Sequence, residues 1–163
     1  MMYLRLLPLA ALCAGLVSCE TTGGGSGGHA ATHINGVKTT AYTHTESDHK
    51  RYKQDSAVGS TLKYGSTRSA AADWSVYPVG TVFKIQGDNH LYEIDDYGSA
   101  LVGTNTIDLY KPSKTEMNAW GARHVNIDVV KWGSFSRSVA IMKERQKAAP
   151  VKKMVQRIAE NNS

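Results

Sequence analysis

The chain has 163 residues, with 19 lysines and arginines against 14 aspartates and glutamates, for a net charge of +5. That length suits one small hydrophobic core between terminal extensions. Both cysteines, Cys13 and Cys19, fall near the start, which leaves the body of the chain without a disulfide or a thiol nucleophile. No Ser-His-Asp spacing stands out, and the glycine run at 23–28 lacks the lysine and following helix of a phosphate loop.

Residues 1–18 read as a leader. Arg5 is the only charge before Glu20, and Leu6 to Val17 is apolar apart from proline and glycine. The segment is too short for an ordinary membrane span. It closes in Leu16-Val17-Ser18-Cys19, which resembles a bacterial lipobox, so Cys19 is expected to carry lipid and become the first mature residue. Two or more acyl chains anchor a protein stably. Because Glu20 rather than aspartate follows the cysteine, the resemblance implies an envelope lipoprotein sorted to the outer membrane and facing the periplasm. Such an exported chain is not expected to bind nucleic acid. Residues 19–35 form the lipidated cysteine and a tether, in which Gly23-Gly24-Gly25-Ser26-Gly27-Gly28 behaves as a random coil. His29 and His33 are four apart, but the glycines before them argue against a helix presenting both to a metal.

Residues 36–135 carry a mainly β pattern, short apolar segments punctuated by turn residues. Asn35-Gly36 signals a turn before a strand over Lys38–Thr43, and Glu46 to Gly59 is polar and loop-like. Thr81–Ile85 is β-rich. His90–Asp96 alternates, which places Leu91, Glu93 and Asp95 on one face and Tyr92, Ile94 and Asp96 on the other. On a regular strand only one of Asp95 and Asp96 enters a given site. Asp96 is the expected inward one, and Asp95 shares a wet face with Glu93. Ser113-Lys114-Thr115-Glu116 matches a capping box, opening a helix that runs through Trp120 and stops at Gly121. Arg123–Trp132 reads as a strand with Val125, Ile127 and Val129 on one face. In the basic tail at 136–163, Val151, Met154, Val155 and Ile158 make one apolar helical stripe, expected to dock on the domain, with Pro150 in its first turn.

Three aspartates stand in marked settings. Asp73 precedes Pro78-Val79-Gly80-Thr81. Asp96 opens Asp96-Tyr97-Gly98-Ser99-Ala100-Leu101-Val102-Gly103. Asp108 lies in Ile107-Asp108-Leu109-Tyr110. With the later Ala119-Trp120-Gly121-Ala122-Arg123 and Val125-Asn126-Ile127, these segments resemble the three-aspartate (3D) domain family. Its barrel is similar to the catalytic domain of membrane-bound lytic transglycosylase A. The resemblance implies a six-stranded double-psi β-barrel with short helices. Its implied activity is cleavage of the peptidoglycan bond between N-acetylmuramic acid and N-acetylglucosamine, with no cofactor or metal. Two features depart from the pattern: Val102 replaces a frequent lysine, and the second, larger domain of the lytic transglycosylase is missing.

Glycoside cleavage needs a carboxylic acid that still holds a proton near neutrality, and apolar walls or a neighbouring carboxylate supply that condition. By carry-over from the family, Asp108 is the acid and base, set between Ile107 and Leu109. Asp96 is its orienting or pKa-raising partner, and Asp73 a supporting or structural residue. Tyr97, Gly98 and Tyr110 are the expected substrate contacts, and Trp120 is expected to pack at the core or rim. Two other readings stay open. One is a non-catalytic glycan-binding or structural envelope lipoprotein. The other is a metal-dependent hydrolase using His44, Glu46, Asp48 and His49, a run without a recognised ligand spacing.

Overall fold

The computed structural model describes residues 31–47 and 49–161; the leader, Cys19 and most of the tether lie outside the described residues. Six strands, β1 (Thr32–Tyr42), β2 (Thr67–Ala71), β3 (Val82–Ile85), β4 (Leu91–Asp96), β5 (Ile107–Tyr110) and β6 (Arg123–Lys131), close into a barrel in the order β1-β5-β2-β4-β3-β6. The pairs β1/β5 and β2/β4 are parallel and the others antiparallel. This is a mainly β, double-psi type of barrel, as the motifs imply. Helix α1 (Lys114–Trp120) joins β5 to β6, and α2 (Phe135–Met142) and α3 (Ala149–Asn161) follow the last strand.

Strand alternation builds the interior. Ile107 and Leu109 of β5, Ile127 and Val129 of β6, and Phe83 and Ile85 of β3 are buried in one core with Tyr92 and Ile94 of β4. The tail joins that core: Val151, Met154 and Ile158 of α3 are buried with it, and Val155 packs partly against it. The apolar stripe therefore docks on the domain.

Local chemistry departs from the sequence reading in three places. Asn35-Gly36 does not end a turn; Gly36, at φ 64°, sits at a register shift inside β1, and its N–H donates to Asn126 Oδ1 at 3.0 Å. The left-handed glycine that signals a hairpin serves equally well at a bulge. Strand β2 carries no β-branched apolar run, yet it lies between β5 and β4, where Ser69, Ala70 and Ala71 are all buried. The capping box forms with a twist. Ser113 Oγ accepts from the Glu116 N–H at 3.2 Å, but the Glu116 carboxylate returns to the Ser113 hydroxyl at 2.8 Å.

Candidate active site

The outer wall of the barrel carries a row of residues in register across four strands. Thr40 of β1 pairs with Asp108 of β5, Asp108 with Ala71 of β2, and Ala71 with Asp96 of β4. Two sheet spacings, about 9.5 Å between Cα atoms, separate the aspartates. On β5 the side chains facing the barrel interior are Ile107 and Leu109, so Asp108 and Tyr110 face outward. The apolar neighbours expected to wall Asp108 therefore point the other way. Asp108 is half-buried and accepts a 2.7 Å hydrogen bond from Thr40 Oγ1.

A register shift between Ala70 and Ala71 corrects the expectation for the Asp95-Asp96 pair: Ala70 opposes Ile94 and Ala71 opposes Asp96, with Asp95 as the extra residue. A bulge of this kind breaks alternation. Asp96 is thereby carried off the interior face of Ile94. Asp95, expected in water, is 1% exposed. It does share its partner with Glu93: Lys63 Nζ lies 2.6 Å from Glu93 and 3.3 Å from Asp95. Ser69 Oγ donates to Asp95 Oδ2 at 2.7 Å, and Asp95 Oδ1 accepts from none of the described residues. Burial pushes the Asp95 carboxyl up, against the pull of Ser69 and Lys63.

Asp96 is the most tightly held acid of the row. Oδ2 accepts from the Tyr42 phenol at 3.0 Å, and Oδ1 from the N–H groups of Ala57 (3.1 Å) and Tyr97 (2.9 Å). Burial nevertheless pushes its pKa up to about 6, helped by the Asp95 charge and opposed by those three donors. Tyr42 is held well above the ordinary phenol value, by burial first and then by Asp96, Asp95 and Asp108. It therefore remains a donor at any physiological pH. The connection at 43–66 covers this wall. It supplies the Ala57 amide to Asp96 and packs Leu62 and Tyr64 against Tyr42, Ala71, Leu101 and Tyr110. A connection of this length inside a small domain is a feature of functional loops.

Asp73 does not join the row. Its carboxylate, fully buried, accepts from the Ser75 N–H (2.8 Å) and Oγ (2.6 Å), the Gly103 N–H (2.7 Å) and Arg157 Nη1 (3.2 Å). It staples the turn after β2, the glycine turn before β5 and helix α3 together.

The expected substrate contacts divide. Tyr110 shares the outward face of Asp108 one pair further along, opposite Tyr42; it is 4% exposed, between Tyr42 and Tyr64 at ring-centre distances of 5.7 and 6.2 Å, with its hydroxyl 2.9 Å from His44 Nδ1. Tyr97 is half-buried and stands edge-on to Trp74 at 4.9 Å. Gly98 precedes a short 3-10 turn at Ser99–Leu101, where an added Cβ would meet Leu101 at 3.4 Å. Trp120 donates to Thr39 Oγ1 at 3.2 Å and packs on the core.

Sequence reasoning missed Thr40, Tyr42, Ser69 and Lys63. Thr40 and Tyr42 share parity on one strand, the signal that would have placed them beside Asp108. The metal reading gains no support: among the described residues no three His, Cys, Asp or Glu side chains are grouped to hold an ion, and Asp48 lies outside them.

Compared with known proteins, residues 68–131 match the model of a family described as the 3D domain, a span from β2 to the end of β6 that holds all three aspartates. No curated protein matches the chain.

Proposed function

Because residues 68–131 of this chain belong to the 3D domain family, associated with peptidoglycan-binding and peptidoglycan-cleaving barrels of the lytic transglycosylase type, we propose that the protein cleaves the β-1,4 bond between N-acetylmuramic acid and N-acetylglucosamine during cell-wall turnover. The observation that carries the reading is the placement of Asp108 and Asp96 on either side of Ala71, on an outer wall roofed by a long loop.

In this reading Asp108 touches the substrate. As the bond from C1 breaks, Asp108 gives its proton to the leaving glycosidic oxygen. Its carboxylate then takes the proton of the muramyl C6 hydroxyl, whose oxygen closes on C1 to form the 1,6-anhydro ring, so no water is consumed. Asp96 and Tyr42 are the positioning residues. The carboxyl of Asp96 is immobilised by three donors and titrates at about 6, so the row holds an extra proton in roughly half the molecules at that pH. Tyr97 and Gly98 contact the sugars, Tyr110 packs between Tyr42 and Tyr64 beneath them, and Asp73 holds the scaffold. The same proposal places the protein in the bacterial envelope, lipid-anchored through Cys19, on the outer membrane facing the periplasm.

Mass spectrometry of soluble products from sacculi incubated with the purified chain, wild type beside Asp108→Asn, tests the reading. Anhydromuramyl products from wild type alone support it. Reducing-end products lost in the variant identify a hydrolase on the same site. No products from folded wild type reject catalysis. A second reading, a non-catalytic glycan-binding lipoprotein, draws on one observation: Asp73 and Asp96 each accept hydrogen bonds from protein donors on both carboxylate oxygens. Sacculus binding that survives Asp108→Asn, without turnover by wild type, favours it.

A further inference from the structure

At the mouth of the barrel where β2, β4 and β6 begin, cations and aromatic rings alternate. The Arg68 guanidinium carbon stands 4.3 Å from the centre of the Tyr64 ring. Lys111 Nζ lies 5.7 Å from that centre and 4.7 Å from the Trp120 ring, and the Arg123 guanidinium carbon lies 4.3 Å from Trp120. The result is a ladder, Arg68–Tyr64–Lys111–Trp120–Arg123.

The ladder lacks a counter-ion. Among the described residues no ion pair involves Arg68, Lys111 or Arg123. Lys111 is 5% exposed, and its ammonium faces the two rings. Arg68 Nε is buried without a hydrogen-bond partner, while Arg68 Nη2 meets His90 Nε2 at 2.9 Å. The nearby acids are committed elsewhere. Asp88 accepts from His90 and the Tyr92 phenol, and Glu116 from the Tyr64 phenol and Ser113. Burial pushes the Lys111 amine down, and the Arg68 and Arg123 charges push it further, against the opposing pull of Asp88 and Glu116.

Of the three cations Lys111 is buried, Arg68 half-buried and Arg123 exposed; a buried cation without an ion-pair partner is costly, and neighbouring like charges add to the cost. A bound anion would relieve both. There is room for one: at the Trp120–Arg123 end the ladder borders a cavity of about 410 Å³, walled also by Ile85, Val125, His90 and the committed Asp88; Arg68 meets that wall through His90, and Lys111 through the Trp120 ring. The available donors are few. Arg123 already gives Nε and Nη2 to the last carbonyls of α1. A phosphate favours several converging donors, whereas a carboxylate needs only a guanidinium edge and an ammonium.

We infer that the Arg68–Lys111–Arg123 ladder binds the carboxylate of a ligand seated against Trp120. Lys111 directly follows β5, three residues and roughly 10 Å beyond Asp108 and on the opposite parity, so the ladder stands round the barrel mouth from the aspartate row. The identity of the ligand rests on the peptidoglycan reading: a muramyl unit carries a free lactyl carboxylate where its stem peptide is absent, and the carboxylates of the peptide where it is present. The site then reads the acidic arm of a glycan whose sugar chain crosses the aspartate row.

The three tryptophans report separately, since the Trp74 indole donates to the Asp96 carbonyl, that of Trp120 to Thr39 and that of Trp132 to Thr32. Titration of the ¹⁵N-labelled full chain, followed at these indole signals, uses muramyl dipeptide with its one free carboxylate left as the acid or amidated, sodium acetate and inorganic phosphate. The acid form should shift Trp120 and bind at least about tenfold more tightly than the amide, with that advantage lost in Lys111→Met and in Arg68→Gln. Equal binding of acid and amide overturns the inference, as does displacement of the acid by equimolar phosphate or an unmoved Trp120. Acetate acting at Trp120 while the muramyl acid does not bind keeps a carboxylate site and removes the muramyl assignment. The comparison of acid with amide needs no variant. It is also independent of turnover, so carboxylate binding by a chain that never cleaves sacculi sustains this site and rejects only the catalytic reading.

Discussion

At the scale of single residues, the carboxylates separate by how their oxygens are occupied. Asp108 is the half-buried acid of the row, and under the proposed reading its replacement by Asn lowers anhydromuropeptide release by at least about a hundredfold, the usual range for a lost acid/base group. Melting temperature should change little, because an amide still accepts from Thr40. Asp96 has the opposite profile. Its folded pKa of about 6 exceeds the unfolded value of 3.8, so the folded state holds its proton more tightly. Stability from this group is full below pH 3.8 and is lost as pH rises through 6, on the order of 3 kcal/mol in all. Urea unfolding between pH 4 and 7 should therefore show a fall that Asp96→Asn flattens. The asparagine oxygen can still accept from Ala57 and Tyr97, and its amide can face Tyr42. Tyr42→Phe strips one donor from a buried carboxylate and is expected to cost about 1–3 kcal/mol while raising the Asp96 pKa further, which carbon-detected titration of that side chain checks.

At the scale of elements, the site depends on where regular strands fail. The bulge at the end of β4 puts Asp96 opposite Ala71 rather than inside the barrel with Ile94. The alternation of apolar residues on β4 and β6 was legible, as were the caps of α1, because each leaves a local pattern. The bulge was not, since an inserted residue leaves the composition unchanged and only shifts the parity of the residues after it. Strand β2 was hidden for a related reason: its small residues fit between two other strands, and small residues carry little β signal of their own. The nearness of Asp96 to Asp108 was reached through the motif, while the walls supposed to surround Asp108 came from neighbours in sequence that lie across the sheet. Gly133 is a further element-scale constraint. A Cβ there would lie 2.3 Å from the Val79 carbonyl oxygen and 2.4 Å from that of Pro78, where β6 gives way to α2. Gly133→Ala should thus cost roughly 1–3 kcal/mol or more by chemical denaturation, from overpacking against backbone.

At the scale of the whole molecule, the tail is part of the fold. Arg157 of α3 reaches the buried Asp73, and Met154 and Ile158 enter the core. Because Arg157 is one-third exposed, Arg157→Met is expected to cost about 1–3 kcal/mol rather than the full penalty of a broken interior pair. Hydrogen exchange should show faster opening of α3 and of the turn at Gly103 together, since one carboxylate ties both. The order of strands carries another implication. The segment that matches the family begins in β2, whereas the barrel closes through β1, which lies between β5 and β6 and also brings Thr40 and Tyr42. A polypeptide limited to residues 68–131 would leave β5 and β6 with unpaired edges, the usual template for intermolecular pairing. Such a fragment should sediment as aggregates, and the smallest piece able to stand alone in solution has to start no later than β1.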